Sequence, residues 1–223
     1  QEHIKLTPKD DPIYRGLIAK RASSSLRFAK AYPTNSHTPE ILDGVIEDEL
    51  TLGDMDGVIV ATQLVIGLVP PAPQPLREKA WTTYANAIYD KQQFREAEIA
   101  YTKVLEFKSL PAKDRALYQE RLATSVYKQG EALEKAGKLS EAAGEYLRVG
   151  VVAPTATVRA NAEYDAANIL LQQQQYDKAI PVLEKFRKTF PTHELTKSVP
   201  AKLSMAYEQT GNLGAASTEL VAI

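Results

Sequence analysis

Apolar residues recur along the chain at the spacing of one face of an α-helix, and the same pattern occurs four times. In each segment a large apolar residue is followed three places later by an alanine, and four places after that by a second bulky residue. Because residues three and four apart share one side of a helix, each segment predicts a helix with a buried stripe. The segments start at Phe94, Leu139, Tyr176 and Leu213; their alanines are Ala97, Ala142, Ala179 and Ala216, and their second bulky residues are Tyr101, Tyr146, Leu183 and Leu220.

A further helical segment precedes each of these starts, so the repeating unit is predicted to be a pair of helices. A more divergent start at Met55 extends the series, and successive starts are 39, 45, 37 and 37 residues apart. Periods of this size predict a solenoid. Small residues nine places before four of the starts would let paired helices approach closely, and we expect Gly130 to meet Ala142. These small residues are Ala85, Gly130, Ala167 and Ser204.

Turn-forming residues recur at fixed places in the same units. Gly137 and Gly211 stand two residues before a start, where a chain leaving a helix favours a left-handed residue. Prolines stand fifteen residues after three of the starts, where the second helix is expected to stop. These prolines are Pro70, Pro154 and Pro191.

The unusual spacing of 45 residues predicts one long helix. Pro111 suits the first turn of a helix, and nothing clearly breaks the pattern before Ala136, so we expect about 25 helical residues, about 37 Å in length. The proline-rich stretch 70–77 predicts a stiff linker between an N-terminal helical segment of partial and divergent repeats, 1–69, and the main array, 78–223. Phe28 and Pro33 fit the second helix of one more unit. Both ends of the chain are typical of cuts through a longer protein.

These features resemble the tetratricopeptide repeat (TPR), and the resemblance covers roughly residues 40–223. It is clearest in the unit 123–154, which has Gly130, Gly137, Ala142, Tyr146 and Pro154, and in Trp81 of the preceding unit; the first unit departs most, with Val58 and Thr62. The resemblance implies an all-α, right-handed superhelical solenoid of antiparallel helix pairs. The loops 31–40 and 189–198 are similar to those of bacterial envelope members, namely the Tol-Pal periplasmic protein and the outer-membrane assembly lipoprotein. This implies a periplasmic or outer-membrane-associated protein, with a cytoplasmic location as the alternative.

Composition and motifs favour no catalytic chemistry. The net charge is −1, which does not favour nucleic acid as a partner, and the chain has no cysteine. His3, His37 and His193 lack partners at metal-binding spacing and are predicted to be solvent-exposed. No glycine-rich phosphate loop occurs, and the longest apolar run, 57–69, is too short to span a bilayer and predicts a buried helix. We therefore predict no enzymatic activity, no cofactor, no metal and no membrane span.

The remaining candidate is a binding surface on the inner sides of the first helices, where tyrosines supply contact area and a hydrogen-bonding hydroxyl. Two glutamates favour a partner segment that is apolar with basic residues. The predicted partner-binding residues are Asn86, Tyr89, Tyr127, Glu131, Glu134, Tyr164, Asn168 and Met205. The alternative is that the tyrosines only fill the groove between units. A clamp for a terminal carboxylate, one use of the family, is disfavoured because Thr82 stands where its lysine is expected.

The sequence therefore predicts a non-catalytic scaffold that binds a protein or peptide partner in the concave groove of the solenoid. Two alternatives stay open. The first is a structural spacer or self-association module within a larger bacterial envelope protein. The second is an arm of an enzyme whose active site lies in another domain.

Overall fold

The computed structural model describes residues 10–221, and these residues form eleven α-helices, one short 3-10 helix at Glu194–Ser198 and no strand. The prediction for His3 lies outside the described residues. The helices are α1 (Pro12–Ala31), α2 (Thr38–Leu52), α3 (Met55–Ile66), α4 (Gln74–Asp90), α5 (Phe94–Leu105), α6 (Ala112–Lys135), α7 (Leu139–Val152), α8 (Arg159–Gln172), α9 (Tyr176–Thr189), α10 (Val199–Gln209) and α11 (Leu213–Val221).

The chain divides into two compact units, Gln1–Leu110 with α1 to α5 and Pro111–Ile223 with α6 to α11. Within each unit, every helix packs against the next one along the chain. Such consecutive packing is typical of a helical repeat, and the predicted all-α fold of helix pairs is confirmed. The proline-rich stretch 70–77 lies inside the first unit, and its last four residues belong to α4, which begins at Gln74.

The predicted starts agree with the helix boundaries. Met55, Phe94, Leu139, Tyr176 and Leu213 are the first residues of α3, α5, α7, α9 and α11. The long helix is confirmed as α6, with 24 residues. Even in the divergent α3, the side chains of Val58 and Thr62 are fully buried.

The end of the stripe in α11 differs from the prediction, because the side chain of Leu220 is 55% exposed while Ala216 is buried. Within residues 10–221, no helix is both long enough and apolar enough to cross a lipid bilayer.

The turns inside the helix pairs share one backbone conformation. All five residues that stand two places before a start have positive φ: Gly53 at 72°, Gln92 at 59°, Gly137 at 75°, Gln174 at 58° and Gly211 at 78°. The left-handed conformation of Gly137 and Gly211 is therefore confirmed. The two glutamines were not predicted, because this conformation costs a residue with a Cβ about 1–2 kcal/mol and favours glycine.

The small residues nine places before a start are buried, and the side chain nearest to the space beside Gly130 is that of Tyr146, so the contact of Gly130 with Ala142 stays a prediction. A Cβ placed on Gly130 would lie 2.6 Å from the ring atoms Cδ1 and Cε1 of Tyr146, and its three nearest neighbours all belong to that ring rather than to Ala142. Gly130 therefore makes room for an aromatic ring. Tyr146 is only 1% exposed and belongs to the core of the second unit with Ala142, Ala143 and Val149.

Candidate functional site: an acidic and aromatic cluster

Five side chains of the second unit form what we call the acidic–aromatic cluster. Tyr127, Glu131 and Glu134 lie on α6, Tyr146 lies on α7 and Asp165 lies on α8. The three α6 residues are spaced four and three apart, so the helix places them on one side. Because α7 packs between α6 and α8 along the chain, the cluster joins two successive helix pairs.

Two hydroxyl-to-carboxylate hydrogen bonds hold the cluster together. The Tyr127 hydroxyl donates to Oδ2 of Asp165 at 2.7 Å, and the Tyr146 hydroxyl donates to Oε2 of Glu134 at 2.7 Å. The centroids of the two tyrosine rings lie 5.1 Å apart with a tilt of 36°. Hydrogen bonds to charged acceptors are stronger than those between neutral groups, so these contacts orient both rings.

The electrostatic environment of the cluster is negative. Burial raises the pKa of Asp165, the carboxylates of Glu134 and Glu131 raise it further, and the hydrogen bond from Tyr127 lowers it. Burial also raises the pKa of Tyr127 and Tyr146, and their hydrogen bonds to Asp165 and Glu134 add to the rise. Two carboxylates of α6 thus act on the carboxylate of Asp165 on α8, and the site favours a cation.

Part of this negative charge is reachable from solvent. Glu134 is exposed, the side chain of Glu131 keeps 29% of its surface accessible, and Tyr127 is half-buried. Lys128 pairs with Glu131 at 2.7 Å, one residue after Tyr127. An exposed pair of this kind is weak, typically below about 1 kcal/mol, so an incoming cation can compete with Lys128 for Glu131.

The other predicted residues of the second unit lie on α8 and α10. The Tyr164 hydroxyl lies 2.6 Å from Oγ of Ser198, its ring centroid is 5.7 Å from that of Phe186, and the Lys202 ammonium lies 5.3 Å from the Tyr164 ring centroid. These contacts fit the alternative that a tyrosine fills the groove between helix pairs. Asn168 has a buried Oδ1 with no hydrogen-bond partner, and Met205 is 38% exposed.

Asn86 and Tyr89 lie on α4 in the first unit, so the eight predicted residues are divided between the two units. The Tyr101 hydroxyl donates to Oδ1 of Asn86 at 2.9 Å. The Tyr89 ring makes edge contacts with Phe94 and Tyr101, with centroids 5.7 and 5.8 Å away. These residues of the first unit are aromatic like the acidic–aromatic cluster. Here, however, the tyrosine hydroxyl donates its hydrogen bond to a neutral amide and not to a carboxylate.

Two members of the cluster were not among the predicted binding residues. Tyr146 was predicted as part of the buried stripe of α7, and its ring is buried as expected. The hydrogen bond from its hydroxyl to Glu134 was not predicted. Asp165 was missed although it stands directly after Tyr164, the repeat equivalent of Tyr127. A comparison of α6 with α8 would have shown that α8 adds a carboxylate one position away from the tyrosine.

The prediction of solvent exposure holds for His37 but not for His193. His37 is exposed. His193 is half-buried, its Nδ1 accepts a backbone hydrogen bond from Leu195 at 3.3 Å, and its ring makes edge contacts with Phe186 and Phe190. It therefore caps the short helix that follows. Across residues 10–221, no group of histidine, aspartate and glutamate side chains is arranged to hold a metal ion.

Comparison with solved structures finds several distant similarities. BtubC from P. vanneervenii is 14% identical over 93% of this chain and 87% of its own, with a TM-score of 0.40. MamA protein is 19% identical over 83% of this chain and 90% of its own, with a TM-score of 0.38. A Podosopora anserina protein with nearly identical TPR-like repeats is 19% identical over 91% of this chain and 92% of its own, with a TM-score of 0.34. No family model and no curated protein matches the sequence.

Proposed function

We propose that this protein is a non-catalytic scaffold that binds a partner protein through the acidic–aromatic cluster of its second unit. The observation that carries the proposal is the grouping of Glu131, Glu134 and Asp165 around Tyr127 and Tyr146. A purely structural core would not gain from two carboxylates that disfavour the charge of a third, half-buried one. A bound cation would remove that repulsion.

The chemistry of the cluster defines the partner. A lysine or arginine side chain would interact with Glu131 and Glu134, and the half-buried ring of Tyr127 would contact the apolar stem of that side chain or a neighbouring apolar residue. The partner segment should therefore alternate basic and apolar residues. Because part of the attraction is between exposed charges, binding should weaken as salt rises.

A selection experiment tests this proposal. A random 12-residue peptide library would be selected on the full chain, then counter-selected on the variant that combines Glu131→Gln and Glu134→Gln. Sequences that bind only the unmodified chain should carry lysine or arginine beside apolar residues. Their affinity should fall by tenfold or more in the variant, since two charged contacts of about 1 kcal/mol each are lost.

The matched control is Glu141→Gln, which removes an exposed carboxylate on α7 whose partner, Lys138, lies 3.6 Å away. It should leave binding unchanged. The combination Tyr127→Ala and Tyr164→Ala tests the aromatic contribution, with helix content checked by circular dichroism. The proposal would be overturned if the selected peptides were acidic. It would also be overturned if they bound the variant that combines Glu131→Gln and Glu134→Gln as tightly as the unmodified chain.

Self-association is the second candidate function, and the last helix favours it. Leu213, Leu220 and Val221 on α11 are 68%, 55% and 87% exposed. Exposed apolar residues on one helix are typical of an interaction surface. Sedimentation over a range of concentrations would separate the two functions, because a self-association module forms oligomers without any partner.

A periplasmic or outer-membrane-associated location remains part of the proposal, and it rests on loop resemblance alone. Fractionation of the source cell into cytoplasmic, periplasmic and membrane pools, followed by immunodetection, would test it. Recovery in the cytoplasmic pool would contradict it.

A further inference from the structure

A pocket of about 360 Å³ lies in the second unit between α7, α8 and α9. Its lining residues are Leu147, Gly150, Val151, Glu163, Pro181, Val182 and Lys185. Glu163 precedes Asp165 of the acidic–aromatic cluster by two residues, which turns it to nearly the opposite side of α8. The pocket is therefore separate from the surface proposed above.

A buried carboxylate lines this apolar pocket. The side chain of Glu163 is only 5% exposed, and its Oε1 accepts a hydrogen bond from Nε of Arg159 at 2.7 Å. Its second oxygen, Oε2, is buried and has no hydrogen-bond partner. An unpaired buried acceptor is costly, so this oxygen is a place where a donor would be bound favourably.

Gly150 allows the backbone of α7 to approach that carboxylate and its arginine partner closely. A Cβ at this position would lie 2.7 Å from Oε1 of Glu163 and 3.0 Å from Nε of Arg159. Any larger residue would press on the ion pair. The glycine thus lets the ion pair pack against α7 at the edge of the pocket, and Leu147, Val151, Pro181 and Val182 supply apolar walls.

The charges around the pocket select a neutral donor over a cation. Arg159 already neutralises Glu163, and it is held by a bond to the carbonyl oxygen of Pro154 at 2.8 Å and by the Phe190 ring at 5.3 Å. Lys185 lines the pocket as a second positive charge. A lysine or arginine would be repelled by both, whereas an aromatic ring attracts cations through its face.

We propose that this pocket binds a tyrosine side chain of a partner protein. The ring fills the apolar space beside Lys185, and the phenolic hydroxyl donates a hydrogen bond to Oε2 of Glu163. This inference does not depend on the function proposed for the acidic–aromatic cluster. It gives the second unit two binding sites of different chemistry, one for a basic segment and one for a neutral aromatic side chain.

Two small probes that differ by one hydroxyl test the proposal. N-acetyl-tyrosinamide and N-acetyl-phenylalaninamide would be titrated into the full chain, with leucine and valine methyl groups observed by NMR. The tyrosine amide should shift the methyl signals of Leu147, Val151 and Val182 with about millimolar affinity, which is typical of a ligand of this size. The phenylalanine amide should bind about tenfold more weakly, because it cannot donate to Glu163.

Val151→Glu supplies the blocking variant, because this residue is 79% exposed and its replacement should not disturb folding. It should abolish the shifts. The control Ile99→Glu changes a residue that is 63% exposed in the first unit and should preserve them. Equal affinity for the two amides, shifts confined to other residues, or no shift at about ten times the expected dissociation constant would each overturn the proposal. A mass that rises with concentration and is restored to the monomer by Val151→Glu would instead assign the pocket to a second copy of this chain.

Discussion

The pairs α4–α5 and α6–α7 share a packing plan but present different chemistry at the same repeat positions. In each pair, a tyrosine stands seven residues after the start of the second helix. Its ring is buried, and its hydroxyl donates a hydrogen bond to a side chain of the first helix. Tyr101 donates to the amide oxygen of Asn86, whereas Tyr146 donates to the carboxylate of Glu134. The acceptor is neutral in the first pair and acidic in the second, and the two acceptors stand eight and five residues before their starts.

The difference shows which repeat positions are constrained by packing. The alanines three residues after the start, Ala97 and Ala142, are fully buried in both pairs. The positions eight and five residues before the start hold Asn86 and Tyr89 in one pair, but Glu131 and Glu134 in the other. A helix pair can therefore change its surface chemistry at these two positions while its core stays the same.

The largest effect is expected at Gly130, where the first pair has Ala85 and the second has a glycine under a tyrosine ring. Gly130→Leu should lower the free energy of unfolding by about 3 kcal/mol, because the added atoms collide with Tyr146 and break its bond to Glu134. Gly144→Leu is the control, since a Cβ there meets no atom within 4 Å. Chemical denaturation would measure both, and equal stability of the two variants would show that Tyr146 moves freely.

The helix pair α6–α7 should also make the free energy of unfolding decrease at high pH. An unfolded tyrosine has a pKa of about 10, and the folded pKa of Tyr146 is raised, so the folded state keeps its proton when the unfolded state loses it. The contribution of Tyr146 is therefore complete below pH 10 and falls above it, by at most about 1.4 kcal/mol per pH unit. The pKa of Tyr127 is raised as well, by burial and by its hydrogen bond to Asp165. The pKa of Tyr207 is raised to about 12, chiefly by its bond to Glu184.

Denaturation at pH 9 and pH 11 would measure this loss. The variant that combines Tyr127→Phe and Tyr146→Phe should lose less stability between the two pH values than the unmodified chain. The control is Tyr32→Phe, because Tyr32 is 59% exposed. A double variant with the same pH dependence as the unmodified chain would contradict the role of the cluster.

Glycine substitutions in the turns should change the free energy of unfolding in the same direction in both units. Gln92 in the first unit and Gln174 in the second adopt positive φ, where the other three pairs have glycine. Gln92→Gly and Gln174→Gly should each raise the free energy of unfolding by up to about 1 kcal/mol, by removing the strain of a Cβ in this conformation. Gly137→Gln should have the opposite sign. Thermal unfolding would measure all three, and a destabilised glycine variant would show that the glutamine side chain has a role of its own.

The smallest effect on stability is expected from Glu131→Asn, which copies the residue of the first pair into the second. The pair with Lys128 is lost, but the repulsion with Glu134 and Asp165 is reduced. The net change should lie within about 0.5 kcal/mol. A loss above 1 kcal/mol would mean that Glu131 has a structural role, whereas unchanged stability with weaker binding of basic peptides would separate folding from function.

Much of the fold could be predicted because the residues that pack in the core recur at regular helical spacing along the sequence. The stripe that includes Ala142 and Tyr146 repeats with little change, and it locates the start of each second helix. Contacts that depend on ring orientation could not be predicted in this way. Gly130 was expected to meet Ala142, whereas the atoms nearest to the space beside it belong to the ring of Tyr146, which extends much farther than an alanine side chain.

The candidate site was predicted only in part, because its members come from three helices. The α6 residues Tyr127, Glu131 and Glu134 follow from helical spacing alone. Asp165 joins them through a hydrogen bond that spans 38 residues of sequence, and no local pattern shows it. The pocket at Glu163 was missed for the same reason, since its walls belong to α7 and α9.

The length of α6 has a consequence for engineering. Its additional turns lie at its N-terminal end, while Tyr127, Glu131 and Glu134 lie near its C-terminal end. Glu120, in the extended part, accepts hydrogen bonds from the backbone and hydroxyl of Thr157 at 2.8 and 3.0 Å and so fixes the loop before α8. Residues added or removed upstream of Glu120 would change the length of the helix without rotating Tyr127, Glu131 and Glu134. Helix length and the proposed preference for basic segments can therefore be altered independently in a redesigned chain.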